Sequence, residues 1–419
     1  MKTLFFGLQY ILKTYFEGYV ITQEGIDEAE EYFGKHFGTT ELFNKAGWQY
    51  ILDKHDGQLP VIIKAVPEGT LVPFGNVLMT IENTDPMCWW LTNYLETLLV
   101  QTWYPTSVAT QSYYIKQILK NDLDATADNS DGVNFKLHDF GFRGVSSVES
   151  AGIGGCAHLV NFMGTDTIHA LKVARDVYGE DMAGFSIPAS EHSTMTAWGP
   201  EGEVDAMENM LDQYPTGIVA CVSDSYDIIN ACTNVWGKAL KDKVLARDGT
   251  LVVRPDSGDP VDTVFAVVEA LGEAFGHVVN SKGYKMLPPQ VRIIQGDGVD
   301  LGDILSIGAK LMGGKWSTDN IAYGMGGALL QKLDRDTQRF AFKCSSVTVN
   351  NDRKEVWKRP VGSTWKSSKK GRLGLIKTPS GYATVPEGTP VDLLATVFED
   401  GVITKMQTLK EIRERSNCQ

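Results

Sequence analysis

The chain has 419 residues, of which 43% are hydrophobic and 22% charged, and its formal net charge at pH 7 is −13. This length predicts two domains, or one large barrel with a smaller domain beside it. The acidic charge argues against nucleic acid or an acidic membrane as the main partner, although a local group of basic residues can still bind phosphates.

The N-terminus, MKTLFFGLQYILKTYFEG, lacks a small-residue cleavage site and has polar residues within its apolar run, which predicts an amphipathic helix rather than a signal peptide. The sequence has no run of 18 apolar residues, so we expect no transmembrane segment. The cysteines show no CxxC pair, which is typical of reduced thiols in a cytoplasmic protein without a disulfide framework or a zinc site. They stand at 88, 156, 221, 232, 344 and 418.

The first part of the chain mixes helical and strand-like patterns. Residues 24–38 have helical spacing and end on glycine, whereas residues 59–86 alternate around turn residues and predict short antiparallel strands. Residues 86–105 form an aromatic-rich helix, for which core packing is the favoured interpretation and a subunit interface the alternative. The polar stretch 122–133 is interpreted as a linker.

Short alternating runs return from about residue 340, together with the basic loop 366–372. We therefore expect residues 1–127 and 337–419 to form one discontinuous, mainly β (α+β) domain, and residues 128–336 to form a separate α/β domain.

Within residues 128–336, short apolar runs recur, and each ends in polar or glycine residues before a helical stretch. The spacing is that of repeated βα units, and the continuous apolar character is that of buried parallel strands. Such units build an open doubly wound sheet or a barrel. We favour a TIM-like (β/α) barrel, because the polar residues follow nearly every strand at the end where barrel active sites lie. The runs begin at residues 136, 158, 184, 217, 250, 291 and 319.

Glycine clusters at three of these strand ends predict anion-binding turns. In RPDSGDP, Asp259 can cap a helix that Pro260 opens, directly after Gly258. Gly296–Gly298 and Gly326–Gly327 also precede helical stretches, where small residues let phosphate reach backbone N–H groups. The alternative, that each cluster only makes a tight turn, stays open for any one of them.

Charged residues occupy the same strand ends. Several carboxylates together with arginines suit a substrate that carries phosphates and a ribose, with Mg²⁺ bound through the phosphates rather than by the protein. Helix capping is the alternative for any single aspartate. The residues are Asp166, Asp224, Asp256 and Asp297, with Arg143 and Arg254 among them.

His192 follows Glu191 in PASEHSTMT, and Asp224 comes from the next strand. An imidazole whose Nδ1–H is held by a carboxylate presents Nε2 as a base or nucleophile. Helix capping by Ser190 or Ser193 is the alternative reason for this polar turn. The chain has no HExxH, P-loop or GxGxxG motif, which disfavours a metalloprotease, an ordinary kinase and a Rossmann dehydrogenase.

The ordered motifs HDFGFRGVSS, NFMGTDT, PASEHSTMTAWG, RPDSGDP and IQGDGVD resemble those of the nicotinamide phosphoribosyltransferases. The resemblance runs nearly end to end. It implies a dimeric enzyme with a barrel of the type II phosphoribosyltransferase kind and a discontinuous second domain. It also implies synthesis of nicotinamide mononucleotide and pyrophosphate from nicotinamide and phosphoribosyl pyrophosphate, as a step of NAD salvage.

The same resemblance assigns roles to residues. At the pyridine, Phe140 would stack on the ring, Arg254 would cover its other side or bind phosphate, and Asp166 would accept from the carboxamide NH₂. Ser186 is a further substrate-binding position. At the phosphoribosyl site, Arg143 and His192 would line the pyrophosphate region. The remaining positions are Asp256 for the ribose hydroxyls, Gly296 and Asp297 for the ribosyl group, and Gly326, Gly327 and Arg335 for the 5′-phosphate.

In this family the histidine at the position of His192 is phosphorylated by ATP, with Glu191 and Asp224 as the carboxylates that orient it. ATP would therefore be a co-substrate, and Mg²⁺ would enter with ATP and with phosphoribosyl pyrophosphate. Basic residues of the second domain are candidates for the phosphates, with a solvated loop as the alternative: Lys343, Lys358, Lys366, Lys369, Lys370 and Arg372.

Family members carry several dozen residues ahead of the point that matches MKTLFFGLQYIL, including a tyrosine that a neighbouring subunit places against the pyridine. The given sequence starts at that point. This start makes one alternative more credible, a non-catalytic dimer that binds nucleotides. A second alternative, independent of the start, is a nicotinate phosphoribosyltransferase.

Overall fold

The computed structural model describes residues 2–359, 362, 367–379 and 381–418. Its contacts divide the chain into two compact units. The first comprises Met1–Thr110, Val173–Glu180 and Asp334–Gln419, and the second comprises Gln111–Lys172 and Asp181–Leu333.

The strands in chain order are β1 (Lys2–Leu4), β2 (Val61–Ala65), β3 (Leu71–Pro73), β4 (Met79–Asn83), β5 (Leu137–Asp139), β6 (Gly164–Thr165), β7 (Thr216–Val222), β8 (Asp248–Arg254), β9 (Val278–Val279), β10 (Lys285–Met286), β11 (Val291–Gln295), β12 (Ile321–Met325), β13 (Ser346–Val349), β14 (Asp352–Glu355), β15 (Leu373–Thr378), β16 (Gly381–Pro386), β17 (Ala395–Glu399) and β18 (Val402–Ile403).

The α-helices are α1 (Leu8–Tyr15), α2 (Gln23–Phe37), α3 (Lys45–His55), α4 (Leu91–Val100), α5 (Trp103–Thr126), α6 (Val148–His158), α7 (Ile168–Tyr178), α8 (His192–Thr196), α9 (Glu203–Gln213), α10 (Ile228–Asn230), α11 (Lys241–Leu245), α12 (Pro260–Phe275), α13 (Leu301–Gly313), α14 (Gly327–Leu330) and α15 (Leu409–Asn417). A π-helix (Ala231–Ala239) continues α10. Among the described residues, every helix is too short or too polar to serve as a membrane span.

The first unit is rich in antiparallel strands. Its largest sheet has the order β18-β17-β2-β4, and β1–β3, β13–β14 and β15–β16 form two-stranded pairs. Successive residues of β2 point to opposite faces of the sheet, so Val61, Ile63 and Ala65 are buried in the apolar core of this unit.

The predicted N-terminal helix is only partly correct. Residues Lys2–Leu4 form β1, which pairs with β3 across Thr3 and Val72, and α1 begins only after Gly7. Gly7, the N-cap of α1, has φ = 101°, a left-handed conformation that favours glycine. The pairing partner is some 70 residues away, which is why the local helical pattern misses the strand.

The prediction of one helix over residues 86–105 is wrong, because the segment consists of a 3₁₀ turn (Pro86–Cys88), α4 and the start of α5. Trp90, Leu91 and Leu95 are buried, whereas Trp89 and Tyr94 are 75% and 43% exposed. One face of this segment is therefore core.

The second unit is an α/β ring. Six parallel strands lie in the order β6-β5-β12-β11-β8-β7. Residues 185–189, here called the closing segment, pair in parallel with both edges, through Phe185 with Gly164 of β6 and through Ala189 with Ala220 of β7. Backbone hydrogen bonds Thr165 N–Phe185 O (3.0 Å) and Ser190 N–Ala220 O (3.0 Å) accompany these bridges. Seven parallel segments thus complete the expected barrel-like architecture.

Each apolar run of the sequence corresponds to one of these segments. β7 and β8 are in register over seven residues, from Thr216–Asp248 to Val222–Arg254. As predicted, Asp259 caps α12 by accepting from Asp262 N at 2.9 Å, with Pro260 at the first helical position. The proposed linker at 122–133 is largely helical, because the buried Leu119 and Leu123 continue the apolar face of α5 to its end.

Candidate active site

The polar residues that follow the parallel segments lie at one end of the ring, because parallel strands have their carboxyl ends at the same edge. These residues are Phe140 after β5, Asp166 after β6, Glu191 and His192 after the closing segment, Asp224 after β7, Arg254 and Asp256 at the end of β8, Gly296 and Asp297 after β11, and Gly326 and Gly327 after β12.

His192 is the first residue of α8, and its ring lies between two carboxylates. Nε2 is 2.9 Å from Oδ1 of Asp224, and Nδ1 is 3.7 Å from Oδ2 of Asp256. The expectation that a carboxylate would hold Nδ1 is therefore wrong, since the hydrogen-bonded nitrogen is Nε2. β7 and β8 bring the two carboxylates to opposite edges of the imidazole, so Nδ1 is the nitrogen left for chemistry.

Glu191 has a different place from the one expected. It is the N-cap of α8, where its side chain accepts from the backbone of Thr194, and the Thr194 hydroxyl donates to Glu191 O at 2.7 Å. Asp224 is the carboxylate that contacts His192, while Glu191 fixes the start of the helix on which the histidine stands. Ser190 does not cap this helix; its Oγ accepts from Val222 N at 2.9 Å and ties the closing segment to β7.

Asp224 is held by several donors in addition to His192. Its Oδ2 accepts from Ser257 Oγ at 2.5 Å and from Asp256 N at 2.9 Å. Burial pushes the pKa of this carboxyl upward, but the hydrogen bonds from Ser257, His192 and Asp256 N outweigh burial and hold it below the ordinary value. Asp224 is therefore charged at neutral pH and stabilises a proton on Nε2.

Asp256 has the opposite balance. Burial raises the pKa of its carboxyl, with Arg254 opposing and the nearby charges of Asp224 and Asp297 adding to the rise. Arg254 Nε lies 3.8 Å from Asp256 Oδ1 and is buried without a hydrogen bond among the described residues. A buried donor without a partner is unusual in a folded protein, and here it stands beside the carboxylate pair.

Phe140 forms the apolar part of the site. Its aromatic side chain packs on a small apolar cluster of residues from the parallel strands, which includes Ala220, Val252 and Ile294. A Cβ atom added at Gly324 would lie 2.0 Å from Phe140 Cε2, so only glycine leaves room for the aromatic ring there. A Cβ at Gly296 would lie 3.1 Å from Phe140 Cε2 and 3.4 Å from Asp256 Oδ1, which places Phe140 close to the carboxylates.

Asp166 and Ser186, two of the expected substrate-binding residues, are hydrogen-bonded to each other. Ser186 Oγ donates to Asp166 Oδ1 at 2.5 Å, and Asp166 N donates to Asp139 O at 3.0 Å. Both side chains are exposed at the mouth of the ring. Burial lowers the pKa of the neighbouring His138, with Asp166 opposing, so the imidazole of His138 is neutral at pH 7.

The glycines after β12 lie against the loop that carries Phe140 and Arg143. A Cβ at Gly326 would be 3.5 Å from Phe140 O, and one at Gly144 would be 3.5 Å from the Cα atom of Gly327. Arg143 is exposed on the short 3₁₀ turn Phe142–Gly144. The loop that carries Arg143 and the glycine turn after β12 are therefore adjacent at this edge.

The remaining predicted residues belong to the first unit. Arg335 Nη1 donates to Phe340 O at 2.9 Å, Lys343 pairs with Glu96, and Lys370 pairs with Glu355 at 2.7 Å. Further members of the set are Lys358, whose backbone N donates to Ser368 Oγ, Lys369, which is exposed, and Arg372, which pairs with Glu82 and Glu387. Lys366 lies outside the described residues.

In the first unit, His55, Asp85 and Cys88 stand close enough to share an ion. The Asp85 carboxylate already accepts from Met87 N, Tyr50 OH and His55 Nε2, and Cys88 is part of the apolar core. Hydrogen bonding accounts for this group.

Sequence reasoning missed Ser257 and Asp139, although both stand in motifs that were singled out. Ser257 is the third residue after Arg254 in RPDSGDP, and a hydroxyl in a turn beside two aspartates is a signal for a carboxylate partner. Asp139 precedes Phe140 and is fully buried. Trp236 was also missed: its Nε1 donates to Ser223 Oγ at 3.1 Å, next to Asp224.

A parallel α/β ring with an arginine, paired carboxylates, a histidine and glycine turns at its carboxyl end defines a phosphoribosyltransferase of the type II class. The chain belongs to the nicotinate phosphoribosyltransferase (NAPRTase) family, whose model matches residues 135–402. The model of the nicotinamide phosphoribosyltransferase N-terminal domain matches residues 1–63.

Curated relatives carry the name nicotinamide phosphoribosyltransferase. The protein of that name from Xanthomonas campestris is 49% identical over 429 residues, covering 100% of this chain and 91% of the relative. The one from Acinetobacter baylyi is 31% identical and covers 99% of this chain and 88% of the relative. Among solved structures, human nicotinic acid phosphoribosyltransferase aligns with a TM-score of 0.57 at 15% identity, covering 100% of this chain and 86% of that one, and is similar in fold.

Proposed function

We propose that this protein synthesises nicotinamide mononucleotide and pyrophosphate from nicotinamide and phosphoribosyl pyrophosphate, with ATP hydrolysis coupled through phosphorylation of His192. The observation that carries the proposal is the joined set His192, Asp224, Asp256 and Arg254 at the same end of the ring as Phe140. The two relatives described above support the choice of nicotinamide as substrate.

Phe140 and Arg254 would hold the two faces of the pyridine ring, since an aromatic ring and a guanidinium both stack on planar groups. Asp166 would accept a hydrogen bond from the carboxamide NH₂. A nicotinate carboxylate would instead meet the like charge of Asp166, which disfavours the acid.

The phosphoribosyl donor would bind across Arg143 and the glycine turns, with Gly296 and Asp297 at the ribosyl group and Gly326 and Gly327 at the 5′-phosphate. Asp256 would accept from the ribose hydroxyls. When bound with the pyrophosphate, Mg²⁺ would supply positive charge that offsets the charge of the leaving group. As the anomeric C–O bond breaks and an oxocarbenium-like carbon forms, the site holds the pyridine nitrogen in line for attack and stabilises the leaving group.

ATP would act on the same histidine. With Nε2–H held by the charged Asp224, the lone pair of Nδ1 attacks the γ-phosphorus. The Nδ1–P bond forms, the bond to the bridging oxygen breaks, and ADP leaves. Water later hydrolyses the phosphohistidine. Arg335 is proposed to help bind the 5′-phosphate. The basic residues proposed to screen the phosphates are Lys343, Lys358, Lys366, Lys369, Lys370 and Arg372.

We further propose a cytoplasmic homodimer. The six scattered cysteines, four of them buried, fit a reducing compartment. The exposed Trp89 and Tyr94 offer the aromatic surface that subunit interfaces favour. Light scattering coupled to gel filtration tests this assembly, and a monomer at micromolar concentration would contradict it.

The decisive experiment measures pyrophosphate release from phosphoribosyl pyrophosphate with nicotinamide, with nicotinate, or with neither. We expect release with nicotinamide, stimulation by ATP, and much slower release with nicotinate. Preference for the acid would instead indicate a nicotinate enzyme. If no pyrophosphate were released with either base, the non-catalytic nucleotide-binding dimer would be favoured.

His192→Ala tests the ATP step. The variant is expected to lose ATP stimulation while some ATP-independent synthesis remains. Incorporation of ³²P from γ-labelled ATP into this variant at the wild-type level would exclude His192 as the acceptor.

A further inference from the structure

Asp139 is a buried carboxylate that the proposed reaction does not use. It ends β5, immediately before Phe140, and none of its surface is exposed. Burying a charged group costs free energy unless it is paired. The surroundings of this side chain should therefore show what it does.

One carboxylate oxygen is tied to the loop that follows. Oδ1 of Asp139 accepts from Gly141 N at 2.7 Å, so the carboxylate closes a tight turn around Phe140. The backbone of Phe140 is held from the other side, because Phe140 N donates to Met325 O at 3.1 Å. These two bonds fix the direction in which the Phe140 ring leaves the strand.

The second oxygen is packed against a helix. A Cβ at Gly155 of α6 would lie 3.0 Å from Asp139 Oδ2, which accepts no hydrogen bond among the described residues. Gly141 is itself packed tightly, since a Cβ there would be 2.6 Å from Leu330 of α14. The carboxylate is thus wedged between α6 and the turn that it holds.

We propose that Asp139 is a positioning residue that sets the Phe140–Gly144 loop, and with it the pyridine site. The inference rests on the proposed function, because Phe140 is placed at the pyridine there. Asp139 acts through Gly141 N and touches no substrate.

Asp139→Ala removes the acceptor for Gly141 N, and we expect the KM for nicotinamide to rise at least ~10-fold, with kcat changed by less than ~3-fold, since the loss falls on ring binding. Asp139→Asn keeps a carbonyl oxygen that can accept from the same N–H, and should restore KM to within ~3-fold of the wild type.

A matched control exists in the same unit. Asp122 of α5 is a half-buried carboxyl that, like Asp139, packs on a helical glycine, with its Oδ2 2.7 Å from a Cβ position at Gly308, and its pKa is likewise raised by burial. It has no part in the site. Asp122→Ala should leave the KM for nicotinamide unchanged, even if it lowers stability.

The pH profile separates positioning from a merely structural role, and it remains available if the alanine variant fails to fold. Burial raises the pKa of Asp139 to about 6, with the hydrogen bond from Gly141 N opposing the rise and the charge of Asp166 adding to it. The charged form is the stronger acceptor. In the wild type the KM for nicotinamide should fall as pH rises through about 6. Both proteins keep Asp166 and His138, so the ratio of the KM of Asp139→Asn to the KM of the wild type at each pH reports the effect of Asp139 alone.

A wild-type KM in Asp139→Ala, or identical pH profiles of wild type and Asp139→Asn, would overturn the inference. Failure of the wild type itself to use nicotinamide would refute the proposed function instead, so the two failures are distinguishable.

Discussion

Replacing Asp224 by asparagine tests the role given to the carboxylate beside His192. The substitution preserves size and leaves an oxygen for Nε2–H, but it removes the charge. It also turns an NH₂ group toward Ser257 Oγ and Asp256 N, which now donate to Oδ2 at 2.5 and 2.9 Å. Two donors would then face a donor, and the loop after β7 must rearrange.

The magnitude follows from the bond that is weakened. A charge-assisted hydrogen bond contributes about 1.5–3 kcal/mol, and each ~1.4 kcal/mol corresponds to ~10-fold in rate. Because the imidazole gains positive charge as Nδ1 attacks phosphorus, we expect histidine phosphorylation to slow by about 10- to 150-fold. Rapid-quench measurement of ³²P incorporation from γ-labelled ATP gives the rate directly.

Asp227→Asn is the matched control for this experiment. Asp227 lies on the same loop, is exposed, and caps α10 by accepting from Asn230 N at 2.9 Å, a role that asparagine performs equally well. Its labelling rate should be that of the wild type. Labelling of Asp224→Asn at the wild-type rate would refute the reasoning, and equal loss in both variants would trace the effect to the loop as a whole.

Gly324→Ala places a methyl group on the Phe140 ring, so we expect the KM for nicotinamide to rise by ~10-fold or more and the thermal midpoint to fall, as steady-state kinetics and calorimetry can show. Asp139→Asn should gain stability over the wild type as pH rises. In the folded wild type Asp139 keeps its proton up to pH about 6, whereas in the unfolded chain it releases the proton near pH 4. The wild type therefore loses up to about 3 kcal/mol of its free energy of unfolding between these pH values. Urea denaturation of both proteins at pH 4.5 and 7.5 measures the difference. Trp236→Phe removes the donor to Ser223 Oγ and should lower the free energy of unfolding by about 1 kcal/mol in the same assay.

Each of these outcomes has a control or a contrary result. A Cβ at Gly313, at the end of α13, meets open space, so Gly313→Ala should leave the KM for nicotinamide unchanged. A stability difference between Asp139→Asn and the wild type that is constant from pH 4.5 to 7.5 would show that Asp139 does not titrate in this range. Unchanged unfolding of Trp236→Phe would mean that the indole N–H contributes nothing to stability.

The ring could be predicted because its information is local. Each strand, such as β8 with its buried Leu251, Val252 and Val253, is a continuous apolar run followed by a turn, and this pattern is visible without knowing the neighbours. The position of the site followed from the same pattern, since parallel strands carry their chemistry at one end. Sequence spacing alone was enough to place His192 and Asp224 together.

The details that failed depend on tertiary geometry. Which imidazole nitrogen meets Asp224 is set by how β7 and β8 flank the histidine, which no sequence interval contains. β1 was missed because its partner β3 is distant in sequence. Asp139 was passed over because a single aspartate before an aromatic residue has no periodic signal, and its burial appears only when α6 packs on it.

The strands of the ring differ in how extensively they are paired with their neighbours. β7 and β8 share seven paired residues, whereas the closing segment is joined to its neighbours by one bridge at each end. Local opening is easiest where few backbone hydrogen bonds hold a segment. His192 follows the closing segment, whereas Asp224 and Asp256 follow β7 and β8, which are paired over their full length. A small shift of the closing segment would therefore change the hydrogen bond between His192 and Asp224 without changing the distance between Asp224 and Asp256.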